Sequence, residues 1–406
     1  MSDYIEILRE WERKVANPAI YESLDVLLPS YAFKRVGARG PRDHWASRMK
    51  IDHSPSRSAN PEKTVVYPQD FRLREQGEWD NPLRVVDAIA AEHGLNGVYD
   101  VYSWVSARLA LDMPRPDSEE TAVRARAHVR RASLLEDLTE YFRWHLWNNA
   151  NSRKAQTVRA YLKRARGFSE DQAREIGFGF VPSWDAVERH FVVDRKYSRE
   201  ELEAACRVRN DEGKTSVGHK HILSIPYMCA GETKGFLFRA IDSSVQPKYL
   251  ANTGLDRKSC FFNMPVSASD IIIVEGEIDA LTLASRGFAG VVAIGGSEIS
   301  GERRRQFEDA LRRGVRRVAL CLDLDWKEKG DAAAPDYGSR HAHIMKSIHT
   351  IKDIDPGFED IYVAELPRPG DPDEFIRSEG ADAFTAVLAA SKPYWKYLCD
   401  YMETHR

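Results

Sequence analysis

Apolar positions in the first thirty residues recur at helical intervals. Ile5, Leu8 and Trp11 share a face, and Asn17-Pro18 supplies a turn signal behind them. The pattern predicts one or two short amphipathic helices that dock by that face. Thr64-Val65-Val66-Tyr67 reads as a strand within a stretch interrupted by Gly37, Gly40, Pro41, Pro55 and Pro61. From Pro82 to Met113 the helical period returns through Val85, Ile89, His93, Val101, Trp104, Val105 and Leu109, and the Pro-Arg-Pro turn at 114–116 closes it. This predicts a small helical bundle. Asp117, with Glu120 in capping-box position, opens a long helix through Leu134, Leu138, Phe142 and Leu146 to about Trp147.

The next stretch, 152–185, begins with a helix ending at RARG, and Ser169 then caps another with acids in its first turn. Residues 219–250 switch to strand texture: HILSIPY, KGFLFRAID after Gly231, and PKYL, an antiparallel meander. From Asp270 strands and helices alternate. IIIVEG, a helix through Leu283, VVAIGG, a helix over 302–313 stopped by Gly314, VALCLDLD, a helix near 338–350 and DIYVAELP together predict a parallel sheet with crossover helices. No internal repeat or low-complexity tract interrupts this order. The expected segments are an N-terminal region over 1–116, a linking helix over 117–150, a mixed α/β subdomain over 151–268, the parallel α/β domain over 269–385 and a C-terminal helix over 386–406.

With 406 residues the chain is long enough for two or three packed units. It has no apolar run of 18 residues, and its first residues, MSDYIEILREWERK, are charged, so no membrane partner is expected and the cytoplasm is the expected location. Five cysteines at wide spacings, without a CxxC pair, support neither a disulfide framework nor a cysteine-rich zinc site. The formal charge of −3, from 59 basic and 62 acidic residues, gives no global attraction to nucleic acid. Local asymmetry exists: Lys34 to Arg74 holds ten Lys or Arg against four acids. Gly213-Lys214-Thr215 ends like a phosphate-binding loop, but Val208 stands where glycine is required and no apolar strand precedes it, so a surface turn is expected.

In open parallel sheets the functional crevice lies at the carboxyl ends of the strands. Three acidic groups sit at such ends. Glu275 follows Ile271–Val274 and precedes Gly276, with Asp279 one helical turn on. Asp323 and Asp325 end the run Val318–Leu322, and Asp371 and Asp373 follow the strand that ends at Glu365-Leu366. Several carboxylates converging from neighbouring strand ends suit hard divalent cations, and two-metal phosphoryl chemistry holds its ions about 4 Å apart. Each group taken alone reads equally well as a helix cap or a solvated turn.

The order IIIVEGEIDALTLASRGF, VVAIGGSE, CLDLD and GDPDEFIR resembles the Toprim domain shared by DnaG-type primases, topoisomerases and some nucleases. Upstream, YLKRARGFSEDQAREIGFGFVP and HILSIPYMCAGETKGFLFRAIDSSVQPKYL resemble the rest of a DnaG-type primase core, so the likeness covers roughly 155–385. The resemblance implies a Toprim-type parallel sheet with flanking helices, preceded by a mixed α/β subdomain and a small helical, basic N-terminal region. It implies Glu275, Asp323 and Asp325 as catalytic metal ligands, with Asp371 and Asp373 completing the site for two or more Mg²⁺ or Mn²⁺ ions. It also brings Arg166, Arg239, Lys248, Tyr249 and Lys258 to positions that hold template or incoming nucleotide.

The chain departs from that family in several places. Residues 31–112 hold no cysteine where a zinc module is usual, and His44 and His53 alone cannot make a tetrahedral site, so no zinc is expected. WKEKGDAAAPDY intervenes after the DxD pair, before Gly338-Ser339-Arg340, and PKYLANTG carries an extra residue that leaves the role of Asn252 open. The leading expectation is a DNA-dependent RNA primase using a single-stranded DNA template and nucleoside triphosphates, with a replicative helicase or other replication protein as a partner in trans. A Toprim nuclease and a non-catalytic nucleic-acid-binding subunit are the alternatives.

Overall fold

The computed structural model describes residues 2–37, 43–51, 62–69, 71–75, 82–149, 151–207, 217–265, 267–295, 299, 302–324, 326–327 and 334–404. The chain divides into two compact units, Met1–Leu134 and Leu135–Arg406. The first begins with α1 (Ser2–Trp11), a π turn over Glu12–Ala16, α2 (Asn17–Glu22) and α3 (Leu24–Leu27). Asn17-Pro18 does not turn the chain here, contrary to expectation. Pro18 sits in the first turn of α2, where a missing N–H is tolerated, and the π turn before it absorbs the change of register.

A five-stranded antiparallel sheet follows in sequence order: β1 (Lys34–Val36), β2 (His44–Ser47), β3 (Thr64–Val66), β4 (Arg72–Glu75) and β5 (Leu83–Arg84). Two helices, α4 (Val85–His93) and α5 (Val98–Leu109), fill the stretch expected to be a bundle. Leu8, Trp11, Ile20, Tyr31, Leu73, Val85, Ile89 and Val105 share this unit's core. The long helix α6 (Glu119–Trp147) is capped one residue later than expected, because Ser118 Oγ, not Asp117, accepts the Thr121 N–H at 3.1 Å. The boundary between the units falls within α6.

In the second unit, α7 (Arg153–Ala160) runs into a π turn over Tyr161–Ala165. Ser169 and Gln172 form a reciprocal capping box at the start of α8 (Glu170–Ile176). The meander is present as β6 (Gly179–Phe180), β7 (His221–Cys229), β8 (Glu232–Ala240) and β9 (Tyr249–Ala251), all antiparallel, with α9 (Trp184–Glu188) and α10 (Arg199–Cys206) between β6 and β7. The Gly213-Lys214-Thr215 segment lies outside the described residues.

The alternating region forms β10 (Asp270–Val274), α11 (Glu277–Ser285), β11 (Val291–Ala293), α12 (Glu302–Arg312), β12 (Arg317–Leu320), the short pair β13 (Trp326–Lys327) and β14 (Ala334–Pro335), α13 (Tyr337–Ile354) and β15 (Ile361–Val363). Then come α14 (Pro372–Glu379), α15 (Ala381–Ala389), β16 (Lys392–Pro393) and α16 (Tyr394–Thr404). The sheet order is β11-β10-β12-β15-β16, parallel except for β16. Residues 271–274 are apolar without alternation because both sheet faces are covered. One core continues from Leu223, Ile225 and Leu237 of the meander into Ile271, Val291, Val318 and Ile361 of the parallel sheet. No helix among the described residues is long and apolar enough to cross a membrane.

Candidate functional site

The three central parallel strands, β10, β12 and β15, run the same way, so the residues after Val274, Leu320 and Val363 leave the sheet at one edge. Glu275, half-buried, is the first residue past β10. Gly276 then lets the chain close tightly onto α11. Its N–H donates to Asp279 Oδ2 at 3.1 Å, and a Cβ at 276 would stand only 2.4 Å from that oxygen. Asp279 is 6% exposed, and its other oxygen accepts the backbone N–H of Asp373 at 3.1 Å. Burial, followed by the negative charge of Asp371, pushes the Asp279 carboxyl up to about 8.

Leu324 and Gly370 exchange two backbone hydrogen bonds, of 3.2 and 3.1 Å, in an isolated antiparallel bridge. That bridge brings Asp323 and Asp371 to facing positions in its register. Asp371 caps α14, with Oδ1 accepting the Glu374 N–H at 2.6 Å, and burial raises its pKa. Asp325 lies outside the described residues. A buried cation borders the same edge: Arg340 in the first turn of α13 donates to Glu365 Oε1 at 2.6 Å. Between them Cys321 is fully buried, its thiol pKa raised by burial and by the charges of Asp323 and Asp279.

Asp373, expected among the metal ligands, is held by other side chains in this structure. Only 1% exposed, it accepts from Thr282 Oγ1 at 2.7 Å and Arg377 Nε at 3.1 Å through Oδ1, and from Arg166 Nη1 at 2.6 Å through Oδ2. Arg377 Nη2 adds a contact of 3.1 Å to Oδ2. Both oxygens are committed to cations and a hydroxyl, so Asp373 is a strut that joins α11, α14 and the turn after α7. Asn252 likewise belongs to the scaffold: buried, it accepts from Phe236 N at 2.7 Å and donates to the Ala204 carbonyl at 2.9 Å.

Three of the five basic or aromatic candidates come together. Arg239 and Tyr249 are direct partners across β8 and β9, and the Arg239 guanidinium lies 4.5 Å from the Tyr249 ring centroid. It also lies 5.6 Å from the ring of Tyr161, whose hydroxyl accepts from Arg166 Nε at 2.8 Å. Burial lowers the Arg239 pKa. Lys248 and Lys258 are exposed on the flanking loops. Tyr161, which links the two arginines, was missed in the sequence, where nothing marks it as more than a helix aromatic. Arg377 could have been found, since it stands four residues after Asp373 on one helix.

Hard oxygen donors at several strand ends fit an open divalent-cation site, in which waters and substrate phosphates complete the ligand shell. Among the described residues no three His, Cys, Asp or Glu side chains are already arranged to hold an ion. In the first unit His44 Nε2 meets Glu62 Oε2 at 3.3 Å, and His53 lies outside the described residues.

Residues 142–259 match the DNA primase catalytic core, N-terminal domain, and residues 269–337 match the Toprim domain. The chain carries a DnaG-type primase core. The DNA primase of Legionella pneumophila is 28% identical over 279 residues, spanning 66% of this chain and 44% of that protein. That of Pseudomonas putida is 30% identical over 282 residues, spanning 66% of this chain and 40% of its own length. This chain thus spans less than half the length of these two relatives. The zinc-binding and RNA polymerase domains of the Aquifex aeolicus primase share its fold, with a TM-score of 0.60 and 18% identity over 98% of this chain and 89% of that one. The Toprim match includes Glu275, Asp279 and Asp323 and ends before Asp371, whereas the match to the primase core includes Arg166, Arg239, Lys248, Tyr249 and Lys258.

Proposed function

We propose that this chain synthesises short RNA primers on single-stranded DNA by metal-dependent nucleotidyl transfer. The observation that carries the reading is the Arg166–Asp373 contact of 2.6 Å, which makes the group of Arg239, Tyr249 and Tyr161 continuous with the acidic strand edge. Cations that neutralise phosphate then stand beside carboxylates that attract divalent metal, the pairing nucleotidyl transfer needs. DnaG-type primases generally use divalent metal ions, and Glu275, Asp323 and Asp371, with Asp325, would hold Mg²⁺ or Mn²⁺ here. Bound there, the ions would neutralise the triphosphate and lower the pKa of the attacking hydroxyl.

Arg166 and Arg239 orient the phosphates, and Tyr249 offers a face for base or sugar packing. Lys248 and Lys258 attract the template or triphosphate from exposed loops. The primer 3′-hydroxyl forms an O–P bond at the α-phosphorus, the bond to pyrophosphate breaks, and the hydroxyl proton leaves to solvent. The chain's contribution is positioning and charge compensation, not a covalent intermediate. No zinc enters this scheme, and a replicative helicase acting in trans is a compatible partner.

The test is incubation of wild type and Asp323→Ala with labelled nucleoside triphosphates, single-stranded DNA and Mn²⁺ or Mg²⁺, resolved on a denaturing gel. New short oligoribonucleotides with wild type alone are expected. Template shortening with wild type alone would replace the reading with a nuclease. Neither product, with DNA binding intact in both proteins, would leave a non-catalytic subunit.

A further inference from the structure

The loop between β9 and β10 presents Lys258 to solvent, and its immediate neighbour Arg257 is tied down. Arg257 Nη2 donates to Glu277 Oε1 and to the Gly295 carbonyl, the latter at 3.1 Å. Glu277 is the first residue of α11, two positions past Glu275, and is buried. Gly295 follows β11 with φ +54, and a Cβ there would meet Arg257 Nη2 at 2.6 Å and Glu277 Oε1 at 2.7 Å. Three segments therefore converge on one ion pair: the Lys258 loop, the start of α11 and the end of β11.

The rest of the loop is braced from α12. Arg303 donates to the carbonyls of Arg257 and Cys260, the latter at 3.1 Å, and Gln306 Oε1 accepts the Phe261 N–H at 2.9 Å. Those bonds fix the loop to α12, and further along the Phe262–Ala293 bridge pairs it with β11, so Arg257 is the tie beside Lys258 that reaches the start of α11. Charge points the same way. Glu275, Glu277 and Asp279 lie within five residues, and a buried Glu277 without Arg257 would be a further acid competing for cations beside Glu275.

We propose that the Arg257–Glu277 pair is a positioning device for nucleotide binding: it registers the Lys258 loop against the strand end bearing Glu275 and withholds Glu277 from the cation-binding acids. This rests on the primase reading above. Because it acts on the loop that meets the triphosphate and not on the reacting atoms, its loss falls on nucleotide affinity more than on turnover.

Full-length Arg257→Gln, Glu277→Gln, the double variant and Arg257→Lys would be compared with wild type in primer synthesis, thermal melting and hydrogen exchange over residues 255–261. Each Gln variant is expected to raise the KM for nucleoside triphosphate about tenfold with kcat within about twofold, and Arg257→Gln, which leaves the buried Glu277 unpaired, is expected to lose more Tm than Glu277→Gln. The double variant is expected to be no worse than either single one. Amides of 255–261 should exchange faster in the Gln variants and be partly restored in Arg257→Lys. Unchanged exchange in that segment, or single effects that simply add, would overturn the proposal. If wild type makes no oligonucleotide the primase reading fails instead, and the exchange data still decide whether the pair holds the loop. A Gln variant that does not fold hands the decision to Arg257→Lys.

Discussion

Arg166 Nη1 stands 2.6 Å from Asp373 Oδ2, joining side chains 207 positions apart in the sequence. With Arg377 and Thr282 on the same carboxylate, Asp373 is one of the points that tie the segment before the meander to the parallel-sheet domain. Its replacement by Ala leaves guanidinium groups facing a buried vacancy, which costs about 3–5 kcal/mol for a broken buried pair. The expected result is a Tm lower by about 10 °C in calorimetry, with Thr282→Val losing a smaller amount. An Asp373→Ala protein with wild-type Tm but no activity would contradict the strut and restore Asp373 to the metal ligands.

A second prediction concerns Gly276, whose φ of −96° any residue could adopt. The obstacle to a side chain is contact, since a Cβ would lie 2.4 Å from Asp279 Oδ2. Gly276→Ala should therefore break the hydrogen bond between its own N–H and Asp279, destabilising the fold by about 1–3 kcal/mol. Because the two positions act through one contact, adding Gly276→Ala to Asp279→Ala should cost little more than Asp279→Ala alone. Additive losses in a denaturant-unfolding cycle would show that Gly276 matters for another reason.

These two residues also mark what was legible in the sequence. The parallel sheet could be read because a strand covered on both faces is continuously apolar, and Glu275 and Asp323 could be read because they end such runs. Asp371 and Asp373 looked alike, two carboxylates in one Asp-Pro-Asp. Pro372 at the first helical position makes the former the cap and carries the latter into the first turn, next to Thr282. No local pattern announces a partner as distant as Arg166. Tyr161 and the edge strand β16 were invisible for the same reason, since their partners come from tertiary contact. Asn17-Pro18 misled because a proline in the first turn of a helix resembles a proline in a loop.

The pH dependence of stability should show a histidine component. Tyr141 lies between His145 and His190, with ring centroids 4.4 and 4.6 Å away. Burial pushes both imidazoles down to about 4; the His190 charge adds to this at His145 and the Arg195 charge at His190, while Asp194 and Asp137 oppose it at His190. The unfolded chain takes up these protons near pH 6.5 and the folded chain resists until about 4. Their contribution is thus complete above pH 6.5 and is lost as pH falls toward 4. Urea unfolding should record a loss on the order of 2 kcal/mol over that window, reduced in the His145→Phe, His190→Phe double variant. An identical pH profile in that variant would assign the acid sensitivity to carboxylates.

Divalent cations should stabilise the folded chain through Asp323 and Asp371. The two are neighbours in the register beside the Leu324–Gly370 bridge, and the charge of Asp371 already helps to raise the pKa of Asp279, so negative charge accumulates at this edge. An ion that binds the folded edge and not the unfolded chain adds about 1.4 kcal/mol at a concentration tenfold above its Kd. Mn²⁺ or Mg²⁺ should accordingly raise the wild-type Tm by a few degrees, about 3 °C on this scale, and EDTA should reverse the rise. Asp323→Asn removes a charged donor without removing volume, so its own melting point in EDTA should stay near wild type while the response to metal shrinks. Asp371→Asn keeps a side-chain oxygen for the α14 cap and should behave similarly, with a modest loss from the weaker cap. A full metal response in both variants would move the cation away from this edge and take the proposed catalytic site with it.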